Sequence, residues 1–228
     1  MPHAPPIPDS LLARIGIDHG RRLFVPAHFE LAEEGLLEFI RRHPLGQMVS
    51  AGADGLRATA AALIVGDDHG EPGTLLGHLA RRNPHAELVR GGADAVIIFQ
   101  GANAYISPRW NRENPSLPTW SYESVQVRGR FEPFRTREAA RNVLERTITH
   151  MEQGADRPWR LDDAPPELVA TLLEHIVAFR FRVDDVQGIR RLNQNRKRAD
   201  RLGIIDGLRA TGAPGALQIA SLMEAESR

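Results

Sequence analysis

Residues 77–84, with the sequence GHLARRNP, carry the side chains best suited to hold an anion. His78 and Arg81 lie at the end of an apolar run that leads directly into Asn83-Pro84. Asparagine caps helices and proline has the backbone angle of a first helical position, so a helix is expected to begin there. Free amides at a helix start favour anions, and Arg81 can add a bidentate pair to a phosphate. An ordinary capped helix beside surface arginines would show the same residues, and that alternative stays open.

A second group of candidate residues is aromatic. Residues 105–122 contain Tyr105, Tyr122, Trp110 and Trp120, which include both tyrosines of the chain and two of its three tryptophans. Such rings can line the site of a flat heteroaromatic ligand, or they can pack at a subunit interface. The pattern alone leaves both interpretations open.

A third group is a basic run at residues 190–201. It contains six cationic side chains and one anion, Asp200. The run is typical of a solvated helix face, and it could also neutralise a phosphate or contact DNA. The whole chain has 29 basic and 29 acidic residues, so it lacks the positive charge of a dedicated nucleic-acid binder.

Several chemistries find no support in the sequence. The chain has no cysteine, which excludes thiolate metal sites, disulfides and a cysteine nucleophile. Its nine histidines include no H-E-x-x-H and no pair at helical spacing, so no metal site is predicted. The serine-nucleophile signature G-x-S-x-G is absent too, and no catalytic residue is predicted.

Length and composition favour a globular protein. The 228 residues are 42% hydrophobic and 25% charged, both near the globular average. The first residues, MPHAPPIPDS, do not read as a signal peptide, and no apolar run approaches the roughly 18 residues that span a bilayer. We therefore expect a cytoplasmic protein without a membrane segment.

The predicted elements form an α+β protein with about six antiparallel strands. Asp54-Gly55 predicts a hairpin, and short connections force neighbouring strands to be antiparallel. Neither a Rossmann unit nor a P-loop is present. We predict strands at 45–51, 56–65, 74–80, 95–99, 125–131 and 177–183, and a turn at 66–73. We predict helices at 30–42, 137–152, 165–175 and from 195 onward, broken at 211–215, and a short helix that opens at Asn83-Pro84. These elements favour a small barrel with helices outside.

Seven motifs in order resemble the PaiB-like family of FMN-binding negative transcriptional regulators. The resemblance spans about residues 23–205. The matching segments are FVPAHF at 24–29, HPLG at 43–46, GHLAR with NP at 77–84, FQG with AYIS at 99–107, PTWSY at 118–122, PW at 158–159 and LNQNR at 192–196. The family commonly has Thr-His-Leu-Pro-Leu where this chain has TAAAL at 59–63, so Ala60 replaces a histidine.

The resemblance implies a split β-barrel, an FMN cofactor and a homodimer with FMN at the subunit interface. The implied domains are an N-terminal extension at 1–22, an FMN-binding domain at 23–210 and a helical tail at 211–228. The cofactor-binding residues transferred from the motifs are Thr59, His78, Arg81, Asn83, Tyr105, Ser107, Thr119, Trp120, Gln194 and Asn195. Arg81, His78 and Asn83 fall where the FMN phosphate is expected.

Three functions follow from this comparison. The first is an FMN-responsive negative transcriptional regulator that acts through DNA or a regulatory partner. The second is a flavin-dependent oxidoreductase acting on a small substrate, in which the flavin supplies the chemistry. The third is a partner-binding dimer that has lost its cofactor.

Overall fold

The computed structural model describes residues 23–66 and 73–226, so the predicted extension at 1–22 and most of the turn at 66–73 lie outside the described residues. The strands are β1 (Leu45–Gly52), β2 (Gly55–Gly66), β3 (Thr74–Ala80), β4 (Asp94–Ile106), β5 (Thr119–Pro133) and β6 (Ile176–Arg191). The helices are α1 (Glu33–Arg42), α2 (His85–Arg90), α3 (Arg137–Met151), α4 (Pro166–His175), α5 (Arg198–Thr211) and α6 (Pro214–Ala225). None of these helices is long and apolar enough to cross a membrane.

The six strands form a closed barrel in the order β1-β2-β3-β6-β5-β4. β1 and β2 make the predicted hairpin, in which Gly52 faces Gly55 and Leu45 faces Ala62. Gly55 has φ of 112°, a conformation that glycine adopts without strain and that closes the tight turn. The antiparallel barrel with helices outside confirms the predicted α+β split-barrel fold.

The chain divides into two compact units, and the first contains residues 37–99 and 126–186. Phenylalanines fill its centre: the ring of Phe131 meets those of Phe179 and Phe181 edge-on, each at 5.0 Å between centroids. Gly77 gives these residues room, since a Cβ there would lie 2.6 Å from Leu63 and 2.9 Å from Phe179. A side chain at Gly77 would therefore overpack the interior.

Helices α3 and α4 cover part of the first unit's sheet. Ile64, Leu76 and Ala178 project from the strands into an apolar cluster with residues of the two helices. Thr136 caps α3 by accepting a hydrogen bond from the Ala139 amide at 3.2 Å, which satisfies one of the free donors of the first turn. This apolar cluster holds α3 and α4 against the strands of the first unit.

The second unit contains residues 23–36, 100–125 and 187–226 among those described. Ala104 and Ile106 pack with apolar residues of α5 and α6. The indole of Trp110 lies against Gly207, where a Cβ would come within 2.3 Å of the ring. The two helices are separated at Gly212, whose φ is 67°, and the predicted break between them is confirmed. The proposed domain boundary at residue 211 stays a prediction.

Strands β4 and β5 are longer than the apolar pattern predicts. β4 continues beyond Phe99 to Ile106, and β5 begins at Thr119 rather than Val125. Buried polar residues conceal the alternation, since Ser121 and Glu123 occupy inward positions that are normally apolar. The aromatic segment 105–122 therefore has strand at both of its ends.

Candidate functional site

In the first unit, the structure brings Thr59 and Asn83 together through His85. The Asn83 side-chain oxygen accepts a hydrogen bond from the His85 amide at 2.9 Å. The His85 ring is buried, with Nδ1 3.1 Å from the Thr59 hydroxyl and Nε2 3.1 Å from the Ser50 hydroxyl. Burial, helped by the charge of Arg57, lowers the pKa of His85, so the ring is neutral at pH 7 and joins the two hydroxyls.

His85, whose ring joins two hydroxyl groups, was not singled out from the sequence. The local signal is its position directly after the Asn83-Pro84 helix start. α2 begins at His85, one residue later than predicted, within the usual uncertainty of a helix end. The contacts with Thr59 and Ser50 join residues 26 and 35 positions apart, and no local pattern predicts them.

Arg81 points to the junction between α4 and β6. Its Nε donates to the Glu174 carbonyl at 2.8 Å and its Nη2 to the Ile176 carbonyl at 3.0 Å. The Arg81 amide also donates to the His175 carbonyl at 2.7 Å. The side chain is exposed, and two of its five guanidinium donors are engaged in these bonds, so donors remain for an anion.

His78 lies on β3 opposite Ala178 and carries an unsatisfied nitrogen. Its Nδ1 is buried and has no hydrogen-bond partner within residues 23–66 and 73–226. Burial lowers the pKa of His78, which keeps the imidazole neutral near pH 7. An unpaired buried polar atom is costly, and a ligand group that bonded to it would remove that cost.

In the second unit, Tyr105 and Trp120 form an exposed aromatic pair. Their ring centroids are 6.0 Å apart, and each side chain is about half exposed, 47% and 49% respectively. The Trp120 indole nitrogen donates to Asn103 at 3.1 Å, which fixes the ring orientation. Next to it, the Thr119 hydroxyl accepts a hydrogen bond from Arg191 at 2.7 Å. The two rings are inclined at 63°, so each presents its own aromatic face at the surface of its unit.

Three other predicted residues have different surroundings. The Ser107 hydroxyl caps a short 3-10 helix, Pro108–Trp110, by accepting from the Arg109 amide at 3.3 Å. Gln194 accepts from the Leu192 amide and donates to the carbonyl of Arg190 near the end of β6. Asn195 is exposed and forms no hydrogen bond within the described chain. Their role toward a cofactor stays a prediction.

Most cations of the basic run are engaged within the second unit. Arg190 pairs with the buried Glu123 at 2.6 Å, and Lys197 lies 3.6 Å from Glu113. Arg196 donates to Ser116, and Arg201 to the Met223 carbonyl. The run is therefore tied into its own fold instead of being presented as a free cationic face.

Asp200 is the anion of that run, and it is fully buried. It accepts hydrogen bonds from the Asn114 side chain at 2.7 Å and from the amides of Glu113 and Arg112, each at 2.8 Å. These bonds lower the pKa of Asp200 from 3.8 to about 2. The carboxylate thus joins the 112–114 loop to the first turn of α5.

The ionised form of Asp200 is expected to stabilise the fold above pH 4. Its pKa is lower in the folded than in the unfolded chain, so its contribution is lost as pH falls from about 4 to 2. Asp200→Asn should lower Tm at pH 7 by roughly 3–10 °C, because the Asn114 side-chain donor would face an NH2 group and the backbone amides would lose a charged acceptor. Asp206→Asn, which removes an exposed partner of Arg112, should change Tm little. Equal Tm losses in both variants would contradict this role of Asp200.

The β1–β2 hairpin presents an exposed apolar face. Alternate residues of the two strands point to this side, which we call the exposed hairpin face. Its members are Leu45, Gln47, Val49 and Ala51 on β1 and Leu56, Ala58, Ala60 and Ala62 on β2. Gln47 is the one polar residue among them. Leu45 is 66% exposed and Leu56 is 79% exposed. Ala60, at the position of the family's histidine, belongs to this face. A sheet face of this composition is expected to be covered by a partner.

Comparison with known proteins identifies the family. Residues 23–185 match the model of the family described as "Putative FMN-binding domain". This chain belongs to that family. The chain is 32% identical over 206 residues to the protease synthase and sporulation protein PAI 2 of Bacillus subtilis, covering 89% of this chain and 97% of that relative.

Solved structures of low sequence identity share the family's fold. A FAD and heme binding protein from Mycobacterium smegmatis superposes with a TM-score of 0.55 at 16% identity, covering 70% of this chain and 71% of that one. A flavocytochrome from Azotobacter vinelandii gives 0.52 at 11% identity, covering 73% and 72%. At these identities the likeness shows the split-barrel fold alone.

Each unit, taken by itself, contains side chains that suit a part of FMN. A phosphate requires cationic hydrogen-bond donors, which the first unit offers in the spare guanidinium donors of Arg81. The amides at the start of α2 are already engaged, since that of Asn83 donates to Ala80 and that of His85 to the Asn83 side chain. A flavin ring requires an apolar or aromatic surface and some polar groups at its edge. Within the second unit, Tyr105 and Trp120 offer exposed aromatic faces. Within the first unit, the unpaired His78 nitrogen offers a bonding group. Residues 23–66 and 73–226 contain no group of three His, Asp or Glu residues that could hold a metal ion.

Proposed function

We propose that this protein is an FMN-binding homodimer that acts as a negative transcriptional regulator. The family's description supports the cofactor, and the relative from Bacillus subtilis, named for protease synthesis and sporulation, supports a regulatory role. The cofactor residues of the proposal are those predicted from the motifs, led by Arg81 for the phosphate and Trp120 for the ring.

The observation that carries the dimer is the exposed hairpin face. It places two leucines and several alanines in water on neighbouring strands, with Gln47 as the one polar member. Soluble monomers seldom leave such a sheet face uncovered, and a second copy would bury it against an identical surface. Thr59 lies between Ala58 and Ala60 of this face, but its side chain is on the opposite side of the sheet, hydrogen-bonded to His85.

The proposed dimer and cofactor are tested on the purified protein. We expect bound flavin that absorbs in the visible range and is released by heat as FMN. Sedimentation at micromolar concentration is expected to give twice the 25.3 kDa of one chain. A strictly monomeric protein that binds FMN would contradict the dimer, and a dimer that takes up no added FMN would contradict the cofactor.

Regulation is proposed to act through a partner rather than through DNA contacts of the basic run. Arg190, Arg196 and Lys197 already have partners inside the second unit. Non-specific DNA affinity comes from cations that displace counterions from phosphates, and engaged cations contribute less to it.

Binding to random duplex DNA is therefore expected to be weak, with Kd above about 10 μM at physiological salt. The measurement is fluorescence anisotropy of a labelled duplex at several salt concentrations. Arg198→Ala removes an exposed cation that forms no ion pair among the described residues, and it should leave that weak binding nearly unchanged. Submicromolar binding with a steep salt dependence would contradict this expectation.

The same engaged cations favour a second candidate, a flavin-dependent oxidoreductase. Such an enzyme needs no DNA surface, since the flavin supplies the redox chemistry and the protein orients the reactants. Rapid bleaching of the flavin by NADH or NADPH under anaerobic conditions would favour this function. Slow bleaching, together with a flavin-dependent change in binding to a regulatory protein, would favour the regulator.

A further inference from the structure

A cavity of about 490 Å³ opens at the barrel end where Arg81 is held. It lies wholly within the first unit. Its lining includes four arginines, which make it positively charged, and two large apolar side chains: Arg81, Arg90, Arg135, Arg137, Phe134 and Leu173. Its volume falls within the range of about 300–1,000 Å³ usual for small-molecule sites.

The cavity lining is strongly positive in a chain of zero net charge. Its four arginines face one acidic residue, Glu174, which leaves a formal charge of +3 around the opening. Like charges so close together repel one another, and an anion bound among them would offset that repulsion because it attracts each guanidinium group. This concentration of guanidinium groups is the first sign of an anionic ligand.

Two of the four arginines are held in place by the protein. Arg137 donates to the Glu174 carboxylate at 2.5 Å, and this bond engages the single anion of the lining. Arg81 donates to the backbone carbonyls of Glu174 and Ile176. Both side chains are therefore positioned before any ligand arrives, which lowers the entropy lost on binding.

The other two arginines remain available. Arg90, at the end of α2, and Arg135, just before α3, form no hydrogen bond or ion pair through their side chains within the described chain. A guanidinium presents a planar fork of donors that matches two oxygens of a phosphate. Two such forks at one opening can bind different oxygens of the same phosphate group.

We propose that this cavity binds a phosphate-bearing small molecule. Arg90 and Arg135 bind the phosphate, Arg81 and Arg137 add positive charge, and the apolar part of the ligand lies against Phe134 and Leu173. The phosphate belongs either to FMN or to a second phosphorylated compound. The site holds a phosphate in both cases, and where that phosphate belongs to FMN the inference rests on the proposed function.

The test uses pyrophosphate as the probe, titrated calorimetrically at low salt into the purified protein saturated with riboflavin. Arg90→Ala and Arg135→Ala should each weaken pyrophosphate binding about tenfold or more, because each removes charged hydrogen bonds. Arg157→Ala is the matched control, since Arg157 is an exposed arginine of the same unit without a partner among the described residues. It should leave the affinity unchanged.

Repeating the titration on FMN-saturated protein distinguishes the two sources of phosphate. If the cavity holds the phosphate of FMN, pyrophosphate will bind the riboflavin form and not the FMN form. If the cavity serves a second compound, both forms will bind pyrophosphate with the same affinity. Either result supports the anion site.

Two results would overturn the proposal. One is the absence of pyrophosphate binding to the riboflavin-saturated wild-type protein at millimolar concentration. The other is equal binding by the wild-type protein and the Arg90→Ala/Arg135→Ala double variant, with the fold of the variant verified by circular dichroism. Arg135→Lys adds a check on geometry, because it keeps the charge but not the fork, and it should restore only part of the affinity.

Discussion

Leu56→Glu is expected to convert the proposed dimer into monomers. Leu56 is 79% exposed on β2, so the glutamate is tolerated in a single chain, where it stays in water. In a symmetric contact through the exposed hairpin face, the substitution would bury two carboxylates without partners. Such a burial costs several kcal/mol, which corresponds to at least about a hundredfold loss of dimer affinity.

FMN retention is expected to fall in the same variant. The proposal places the cofactor at the subunit interface, so separation of the subunits removes part of its site. Sedimentation velocity at several protein concentrations measures the dimer, and flavin fluorescence measures the cofactor. Leu168→Glu on α4 is the matched control, since that leucine is 59% exposed outside the hairpin face, and it should change neither quantity.

A Leu56→Glu protein that stays dimeric at micromolar concentration would contradict the hairpin face as the contact. A variant that becomes monomeric yet keeps wild-type FMN affinity would support the hairpin face as the dimer contact. It would contradict the proposed position of the cofactor at the subunit interface. The two measurements therefore test the interface and the cofactor site separately.

Local sequence signals predicted the elements of the fold well. Asp54-Gly55 marks a tight turn that few other residues could form, and the alternation around Val127 and Phe131 requires a strand with one buried face. The resemblance of the motifs then gave the barrel, which short-range patterns could only suggest. Strand ends were less well predicted, because buried polar residues such as Glu123 break the apolar period on which the prediction depends.

The site was harder to predict because its contacts join residues distant in sequence. The buried Glu123 is paired with Arg190, and the two are 67 positions apart. His85 joins Ser50 to Thr59 across three elements. The charged cavity likewise combines arginines that follow β3, end α2 and lie at the start of α3, which are far apart in the sequence. The periodicity of apolar residues describes one helix or strand at a time and carries no information about contacts between distant elements.

Arg81 illustrates how the structure sharpens a prediction from a motif. The motif placed Arg81 beside a helix start and suggested a phosphate, and the structure adds two backbone carbonyls that hold its guanidinium. Removal of this side chain is therefore expected to have two effects. One is a loss of phosphate affinity, and the other is a modest loss of stability from carbonyls that lose a donor.

Arg81→Ala is expected to weaken FMN binding about ten- to a hundredfold, since hydrogen bonds to charged groups contribute roughly 1.5–3 kcal/mol. Riboflavin lacks the phosphate and should bind the wild-type protein and the variant almost equally, so flavin fluorescence titration with both ligands isolates the phosphate contact. Arg82→Ala, at the exposed neighbouring position, should leave both affinities unchanged. An equal weakening of riboflavin and FMN would mean that Arg81 supports the fold through Glu174 and Ile176 instead. Unchanged FMN affinity, with the expected fall in Tm, would place the FMN phosphate away from Arg81.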